Sequence, residues 1–371
     1  MPQKKHSHWN NNRGKIIYEI SCSEKESFSG SSSIYGNNNG DSIHVLAASD
    51  KDIQTYTDTD FAMDTVVSET LYTTGDDINS KLTSVLTDVE TNLLSWTNED
   101  SQIYKVNASD GKDTEISGEL SGYLERILKI SRDSDGAFDP TIGKLIRLWD
   151  IGGEDQRIPG EDEIRNVLKD SGYEKVSLAG NNISMDEGCS LDLGAAGKGI
   201  GCDSVLEYLK SQKDVTAALM NLGGSSVMTY GSKPDGSSWN VAVTDPRAEN
   251  DDEYLGVVAL NGTEFLSTSG DYEKYFIEDG VRYHHIMDPS TGYPAKSGVT
   301  GVTVVCDTGL EADALSTACF VLGVEKGSEL LKKYSADGLF VDEDHHVYLT
   351  DGMKERFSLL QDIYSVEDIT E

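Results

Sequence analysis

The stretch LDLGAAGKGIGCD, residues 191–203, combines glycines with Asp192 and Lys198 in a way that indicates a ligand-binding loop. It does not match a Walker A loop, because Asp192 and Gly199 stand where that pattern needs glycine and a hydroxyl residue. It does not match GxGxxG either, because Cys202 holds the last position. The pattern predicts a strand, a turn and a helix whose first N–H groups, with the Lys198 ammonium, face a phosphate-like group. A tight turn without a ligand fits the same residues.

A second stretch, LEADALSTACFVLG, carries oxygen ligands at helical spacing. Asp313, Ser316 and Thr317 lie at i, i+3 and i+4, so a helix presents their oxygens on one face. A carboxylate and two hydroxyls are hard ligands suited to Mg²⁺, which completes its shell with water and substrate phosphates. The alternative is a polar helix face whose hydroxyls bond back to backbone carbonyls.

A third stretch places two histidines before a carboxylate, in RYHHIMDPSTGYP. A histidine beside a carboxylate such as Asp288 can act as a general base near neutral pH. His284 and His285 point to opposite faces of a strand, so at most one of them serves a site. A purely structural histidine remains the alternative.

A fourth stretch, SDGAFDPTIGKLIRLWDIG, indicates a rigid loop. Gly136 and Pro140 restrict its backbone, and the loop carries Phe138 and Asp139. An apolar ring beside a carboxylate suits an aromatic heterocycle. An ordinary loop would have the same composition.

The overall charge excludes one large class of partners. The 371 residues include 65 Asp plus Glu against 31 Lys plus Arg, a formal net charge of −34. Such a surface repels polyphosphate backbones, so nucleic acid is not expected as a partner. The five cysteines form no CxxC pair, which argues against zinc. No apolar run reaches the roughly 18 residues of a membrane-spanning helix.

The first 54 residues differ from the rest. A basic start, the short apolar patch IIYEIS, Cys22 and a Ser/Gly/Asn tract follow the order of a bacterial lipoprotein leader. The apolar patch is short and contains Glu19, so the leader is degenerate in form. Residues 1–54 are therefore expected to be a disordered leader and linker with a possible lipoprotein signal.

The remaining pattern predicts an α+β fold. Helices precede a series of short, β-branched strands, which favours largely antiparallel sheets over a doubly wound parallel sheet. Helices are expected at residues 78–93, 122–131, 162–169, 199–212 and 311–323. Strands are expected at residues 217–223, 226–231, 239–245, 254–262, 264–270 and 298–307, with hairpins over 272–288, turning at Asp279–Gly280, and 337–352.

Seven segments, in this order, resemble the ApbE family of FAD:protein FMN transferases. The resemblance extends from residue 56 to the C-terminal hairpin. The segments are FAMDT, LLSWTNEDSQIYKVN, DGAFDPTIGKLIRLW, LDLGAAGKG, MNLGGSSVMTYG, TSGDYEKYF with RYHHIMDPSTGYPA, and VTVVC with EADALSTACFVLG.

The resemblance implies a single flavin transferase domain over residues 55–371. Its expected fold has largely antiparallel sheets flanked by helices, with the active site in a cleft between two lobes. Its expected reaction uses FAD as substrate and Mg²⁺ as cofactor. The FMN half moves to a threonine hydroxyl of an acceptor protein through a phosphoester bond, and AMP is released. An FAD pyrophosphatase giving FMN and AMP, and a non-catalytic FAD-binding protein, remain alternatives.

The resemblance also assigns roles to individual residues. His285 is the expected base, with Asp288 beside it. Trp96 stands where the family often has tyrosine. Asp192 would orient the nucleotide, while Lys198 and Mg²⁺ would offset charge on the breaking pyrophosphate. The expected FAD contacts are Met63, Trp96, Ala137, Phe138, Asp139, Asp192, Lys198, Asn221, Gly223, Gly224 and Met287, and the expected Mg²⁺ ligands are Asp313, Ser316, Thr317 and the carbonyl of Ala195.

The family also implies an extracytoplasmic location, in the periplasm or on the outer face of the cell membrane. Membrane attachment through a lipid anchor at Cys22 is the corresponding expectation for this chain.

Overall fold

The computed structural model describes residues 52–369, apart from residues 249, 251 and 252. Residues 1–51 of the predicted leader, which include the predicted lipid anchor at Cys22, therefore lie outside the described residues, whereas β1 begins at Gln54, the last residue of that leader. Across the described ranges, no helix is both long and apolar enough to cross a membrane.

Helices and strands alternate irregularly along the described chain. The helices are α1 (Asn79–Val89, extended by a π-helical turn at Glu90–Leu94), α2 (Gln102–Ala108), α3 (Gly118–Asp133), α4 (Gly143–Trp149), α5 (Glu161–Asp170), α6 (Gly194–Ser211), α7 (Gly309–Tyr334) and α8 (Asp351–Arg356). The strands are β1 (Gln54–Ala62), β2 (Thr65–Thr73), β3 (Thr114–Glu115), β4 (Val176–Ala179), β5 (Asn182–Met185), β6 (Val215–Leu222), β7 (Ser226–Tyr230), β8 (Trp239–Thr244), β9 (Tyr254–Leu260), β10 (Phe265–Gly270), β11 (Tyr275–Glu278), β12 (Val281–His284), β13 (Met287–Asp288), β14 (Tyr293–Pro294), β15 (Val299–Cys306), β16 (Asp337–Asp342), β17 (His346–Leu349), β18 (Phe357–Leu359) and β19 (Ser365–Glu367).

The largest sheet has nine strands within the described residues, in the order β1-β2-β6-β7-β10-β15-β16-β17-β19. Every neighbouring pair is antiparallel except β17 and β19. Smaller sheets join β8 with β9 and β18, and β5 with β3 and β4. The predicted α+β class with largely antiparallel sheets is confirmed.

Strand β15 explains how the large sheet is buried. All eight of its residues are buried, because helices cover one face and the β8–β9 sheet covers the other. Alternation along the strand places Val304 in the helix-side core and Val305 in the sheet-side core. The β-branched run VTGVTVVC thus fits a strand with two apolar faces.

Most predicted elements are present, with small shifts at their ends. The hairpin turn at Asp279–Gly280 is confirmed, and both residues have positive φ. Gly323 interrupts α7 with non-helical φ and ψ, where a helix end was predicted, but a second helical segment follows at once. No element is predicted above for residues 54–73, which form the β1–β2 hairpin.

The prediction for the glycine-rich stretch is wrong in one respect. Residues 190–193 form no strand, and α6 already begins at Gly194. Lys198 therefore lies inside the helix rather than in a preceding turn. Glycine disfavours helix by up to about 1 kcal/mol per residue, so the local sequence indicates a turn while tertiary packing favours the helix.

Helices α6 and α7 cross in direct backbone contact. A Cβ at Gly199 would lie 2.0 Å from the Gly309 carbonyl oxygen, and a Cβ at Gly309 would lie 2.2 Å from that of Gly199. Only glycine permits this approach, because both obstacles are backbone atoms. The crossing brings the start of α6 beside the first turns of α7.

Substituting alanine at this crossing is expected to destabilise the fold. Gly199→Ala should lower the free energy of unfolding by about 3 kcal/mol, because the helices must separate to admit the methyl group. Urea denaturation measures the change. Gly122→Ala is the matched control, since Gly122 is an exposed position of α3 with nothing within 4 Å of the added Cβ. The control should gain about 0.5–1 kcal/mol, and equal losses in both variants would contradict the packing argument.

Glu69 is a buried carboxyl group in β2. Only 2% of the residue is exposed, and one carboxyl oxygen accepts a hydrogen bond of 3.0 Å from Thr83 Oγ1. The other oxygen has no partner among the described residues. Burial, reinforced by nearby aspartates, raises the pKa of Glu69 to about 7. The folded state therefore holds this proton at pH values where the unfolded chain releases it.

The pH dependence of stability should reveal this group. The contribution of Glu69 is fully present below the unfolded pKa of 4.5 and is lost as pH rises through about 7. Glu69→Gln should therefore be close to wild type at pH 4.5 and exceed its free energy of unfolding by about 3 kcal/mol at pH 8. Denaturant melts at both pH values measure the difference. A variant less stable than wild type at pH 8 would contradict the assigned pKa.

Candidate active site

A cleft of about 480 Å³, here called the main cleft, gathers segments distant in sequence. Its walls come from the β1–β2 turn, the loop before α4, the start of α6, strand β10, residues 285–287 and the first turns of α7. Met63 and Asp64 form the β1–β2 turn with φ of +54° and +55°. Their left-handed backbone folds the turn over the start of α6, where Met63 lies against Gly201.

Asp313 lies at the centre of the α6–α7 crossing and lines the main cleft. The Gly199 N–H donates to its Oδ2 at 2.6 Å, so the two helices are joined through this carboxylate. Ser226 and Ser267 each donate a hydroxyl to Oδ1 at 2.7 Å. Asp313 is only 4% exposed, and these donors hold it in one orientation.

Hydroxyl groups continue from Asp313 along α7. Ser269 Oγ lies 2.8 Å from Ser316 Oγ and 3.3 Å from Thr317 Oγ1. Ser316 also donates to the Asp313 carbonyl at 2.9 Å, as the alternative interpretation of this helix face expects. Thr317 remains partly exposed on the cleft wall.

Lys198 brings a positive charge to the same cleft. Its Nζ donates to Ser225 Oγ, and Ala195 lies one helical turn before it on the cleft wall. Thus Lys198, Asp313, Ser316, Thr317 and Ala195 do meet in one place. Two separate sequence patterns predicted the Lys198 loop and the α7 oxygen groups, and only the family resemblance, which also added Ala195, implied that they share one site. The glycine crossing is the physical reason that they converge.

The oxygen groups of this cluster fit a hard divalent cation. Among the described residues there is no group of three or more His, Cys, Asp or Glu side chains placed to hold a metal. One buried carboxylate flanked by hydroxyls suits Mg²⁺, which accepts few protein ligands and completes its shell elsewhere. It does not suit Zn²⁺, which takes four nitrogen, sulfur or carboxylate ligands.

His285 lines the main cleft, whereas His284 does not. His284 is buried, its Nε2 donates to the Ala295 carbonyl at 3.0 Å, and its ring packs against Phe320. His285 Nδ1 lies 3.3 Å from the Lys274 carbonyl, which can only accept, so Nδ1 carries the proton and Nε2 is left as a base. The sequence indicated that at most one of the two histidines serves a site, and His285 is the one that lines the main cleft.

The pKa of His285 is lowered to about 4. Burial is the main cause, and the positive charges of Lys274 and Lys198 add to it. His285 is therefore neutral through the physiological pH range.

Asp288 and Trp96 are predicted site residues that line neither the main cleft nor the smaller cleft described below. Asp288 accepts from the backbone N–H and hydroxyl of Ser290, at 2.8 and 2.7 Å, and so closes its own turn. The partner that fixes the His285 tautomer is a backbone carbonyl rather than this carboxylate. Trp96 is 43% exposed and stacks on the Arg147 guanidinium, 4.6 Å from the ring centroid.

The loop before α4 supplies the apolar wall. Ala137, Phe138 and Asp139 line the main cleft, and Met287 faces them from β13. Asp139 is occupied within its loop: it accepts from Thr141 N–H and hydroxyl at 2.8 and 2.6 Å and from the Tyr173 N–H at 3.0 Å. Burial raises its pKa. Its contacts indicate a role in shaping the loop.

Asp192 also lines the main cleft, just before α6. Its Oδ1 accepts from the Gly194 N–H at 2.9 Å, at the N-terminus of the helix. Its own N–H donates to the Pro140 carbonyl at 2.7 Å and so joins α6 to the Phe138 loop. The carboxylate thus accepts a hydrogen bond from a helix N–H, and its negative charge is favourable at the positive end of the helix dipole.

A smaller cleft of about 260 Å³ adjoins the main one. The two share Gly223, Thr268 and Glu273 on their walls. Asn221 and Gly224 line the smaller cleft, and Asn221 Oδ1 accepts from the Gly224 N–H at 2.9 Å. Gly223 must be glycine, since φ is +66° and a Cβ would lie 2.1 Å from Thr65 Oγ1.

Four serines of the main cleft were not predicted from the sequence. Ser225 and Ser226 follow the Gly223–Gly224 turn, and Ser267 and Ser269 alternate along β10 with their side chains on one face. The signal was available in the stretches NLGGSS and LSTSG, where hydroxyl residues recur at a turn and at period two.

Comparison with known proteins gives a consistent result. The model of the ApbE family matches residues 63–340. The FAD:protein FMN transferase of Treponema pallidum is 34% identical over 292 residues, which cover 74% of this chain and 80% of that protein. A Klebsiella pneumoniae protein of the same name is 35% identical over 283 residues, covering 75% and 86%.

Solved structures of similar proteins have the same fold. The ApbE protein from Thermotoga maritima superposes with a TM-score of 0.73 at 31% identity, covering 82% of this chain and 99% of that one. The apo form of the Pseudomonas stutzeri flavinyl transferase ApbE gives a TM-score of 0.72 at 30% identity, covering 82% and 97%.

Proposed function

Because the chain belongs to the ApbE family and is therefore a transferase, we propose that it moves the FMN half of FAD onto a threonine hydroxyl of an acceptor protein. The reaction depends on Mg²⁺, forms a phosphoester bond and releases AMP. The names of its relatives support FAD and a protein as the two substrates. The observation that carries the proposal is the meeting of Lys198 and Asp313 in one cleft with His285.

The two clefts together suit the two halves of FAD. Phe138, Ile142, Ile146 and Met287 give the main cleft an apolar wall suited to a flavin ring. The smaller cleft adjoins it at Gly223 and would take the adenosine half. The pyrophosphate would then lie between them, near Lys198.

The charges in the main cleft favour departure of AMP. Lys198 holds an ammonium group beside the pyrophosphate, and the N–H groups at the start of α6 add partial positive charge. Asp313, Thr317 and Ser316, with the Ala195 carbonyl, would hold Mg²⁺. When bound, Mg²⁺ supplies Lewis-acid stabilisation of the negative charge that grows on the pyrophosphate oxygens.

His285 provides the base. Its Nε2 accepts the proton of the threonine hydroxyl as that oxygen attacks the FMN phosphorus. The P–O bond to the bridging oxygen breaks, and that oxygen leaves with AMP. The Lys274 carbonyl keeps the Nδ1 proton in place, so Nε2 stays available.

Covalent flavinylation tests the proposal directly. The protein is incubated with FAD, Mg²⁺ and a partner that carries an acceptor threonine, and the denatured mixture is examined for flavin fluorescence on the partner band. We expect a fluorescent partner and one AMP per flavin bound. FMN and AMP without a labelled partner would assign water as the acceptor, and unchanged FAD would contradict catalysis altogether.

A further inference from the structure

Helices α6 and α7 carry the same short pattern where they cross. In each, an aspartate follows a glycine by four residues, as Gly199 with Asp203 and Gly309 with Asp313. Asp313 of α7 accepts the Gly199 N–H of α6 at 2.6 Å. In the opposite direction, Asp203 of α6 accepts the Gly309 N–H of α7 at 2.6 Å. The two carboxylates thus form a reciprocal clamp around the glycine contact.

Asp203 also caps the N-terminus of α7. Thr308 is the residue at the cap position, and its side chain makes no capping hydrogen bond. Asp203 instead supplies the acceptor from the neighbouring helix, with a second bond of 3.2 Å from the Leu310 N–H. N–H groups without a partner inside the helix, together with the helix dipole, make this end of α7 a favourable place for a half-buried carboxylate.

Arg126 of α3 holds the outer side of the clamp. Its guanidinium lies 3.6 Å from Asp203 and 3.4 Å from Glu311, and it donates to Thr308 Oγ1. Asp203 therefore accepts hydrogen bonds from the backbone of α7 on one side and lies near the Arg126 guanidinium on the other. Its position leaves it little freedom to move.

The clamp has one half in the main cleft and one half outside it. Asp313 lines the main cleft, whereas Asp203 does not. We propose that Asp203 is a positioning residue, which fixes the start of α7 on α6 and thereby sets the distance from Asp313 to Lys198. This proposal rests on the proposed function, because the role of Asp203 is to position Asp313 for the cation that Asp313 would hold. Groups that orient metal ligands typically change metal affinity 10–100-fold when they are replaced.

The test compares Mn²⁺ binding in Asp203→Asn and Ser117→Ala. Ser117 caps α3 through a bond from the Leu120 N–H, so its loss should cost about 1 kcal/mol of stability far from the cleft. Mn²⁺ is titrated in the presence of FAD, without acceptor, and free Mn²⁺ is followed by electron paramagnetic resonance. Asp203→Asn should weaken Mn²⁺ binding about tenfold, and Ser117→Ala should leave it unchanged.

Kinetics give a second measurement. In Asp203→Asn, the Mg²⁺ concentration for half-maximal transfer should rise about tenfold, while kcat at saturating Mg²⁺ stays within about twofold of wild type. A purely structural role would lower the melting temperature of both variants without raising the Mg²⁺ requirement while kcat is kept. Wild-type Mn²⁺ affinity in Asp203→Asn would overturn the positioning role alone.

The variant can fail to fold, and wild type can fail to bind Mn²⁺. If Asp203→Asn does not fold, Asp203→Glu is measured instead, since it keeps the charge but displaces the carboxylate by one methylene. Unchanged Mn²⁺ affinity in that variant would equally overturn the proposal. If wild type binds no Mn²⁺ in the presence of FAD, the cation site of the proposed function is wrong and the positioning role is overturned with it.

Discussion

Replacing Asp313 with asparagine is expected to reduce the rate of FMN transfer about a thousandfold. Asparagine keeps the shape of the side chain and an oxygen for Ser226 and Ser267, but it removes the carboxylate charge that would hold Mg²⁺ and sets an amide NH₂ against the Gly199 N–H. Losing Lewis-acid stabilisation costs several kcal/mol in the transition state, and about 4 kcal/mol corresponds to that factor. Flavin fluorescence on the acceptor band, followed in time, measures the rate.

Asp342→Asn is the matched control for this substitution. Asp342 lies in the β16–β17 hairpin, where it accepts from the backbone of Asp344 and His346 and does not line either cleft. Its transfer rate should equal that of wild type. An Asp313→Asn protein that keeps more than a tenth of the wild-type rate, with the same Mg²⁺ dependence, would show that this carboxylate is not part of the site.

Replacing His285 with glutamine is expected to reduce transfer at least a hundredfold without weakening FAD binding. A positioned general base contributes about 10²–10⁴-fold, and glutamine cannot accept the threonine proton. FAD affinity, measured by quenching of flavin fluorescence, should stay within about threefold of wild type, because a base acts on the acceptor hydroxyl. A parallel loss of affinity and rate would instead make His285 a binding residue.

The pH profile offers a sharper signature of His285. The base must be unprotonated, and its pKa is lowered to about 4, so kcat/KM for FAD should be level at neutral pH and fall by half near pH 4. The acidic limb should disappear in His285→Gln. His346→Gln is the control, since Asp342 raises the pKa of this surface histidine and its loss should leave the profile unchanged.

Local patterns in the sequence were sufficient for much of the fold. The Asp279–Gly280 turn, the β-branched run of β15 and the helix over residues 311–323 all follow from short-range preferences that the tertiary structure respects. The opposite faces of His284 and His285 follow from strand geometry alone. These features need no knowledge of distant contacts.

The glycine-rich stretch was misjudged for a physical reason. Its glycines indicate a turn by intrinsic preference, yet Gly199 is required inside a helix because the Gly309 backbone lies against it. Gly199 and Gly309 are 110 residues apart in the chain. The contact between their helices therefore leaves no pattern in the local sequence other than the glycine itself. The reciprocal clamp of Asp203 and Asp313 was not predicted for the same reason.

The expected pairing of His285 with Asp288 shows a second limit. Sequence proximity indicated the carboxylate, whereas the Lys274 carbonyl is the group that contacts Nδ1. Every residue carries a carbonyl, so residue type gives no signal for such a partner. Ser226 and Ser267 were missed for a related reason, since serine is common and its role depends on what lies opposite.

The central claim is that a divalent cation at Asp313 and the pyrophosphate of FAD share the main cleft. A crystal structure of the protein with FAD and Mn²⁺, with the ion located by anomalous scattering, tests it most directly. We expect one ion at about 2.1 Å from Asp313 and Thr317 oxygens and from a pyrophosphate oxygen, beside Lys198. An FAD whose pyrophosphate lies away from Asp313, or an ion bound elsewhere on the acidic surface, would contradict the account.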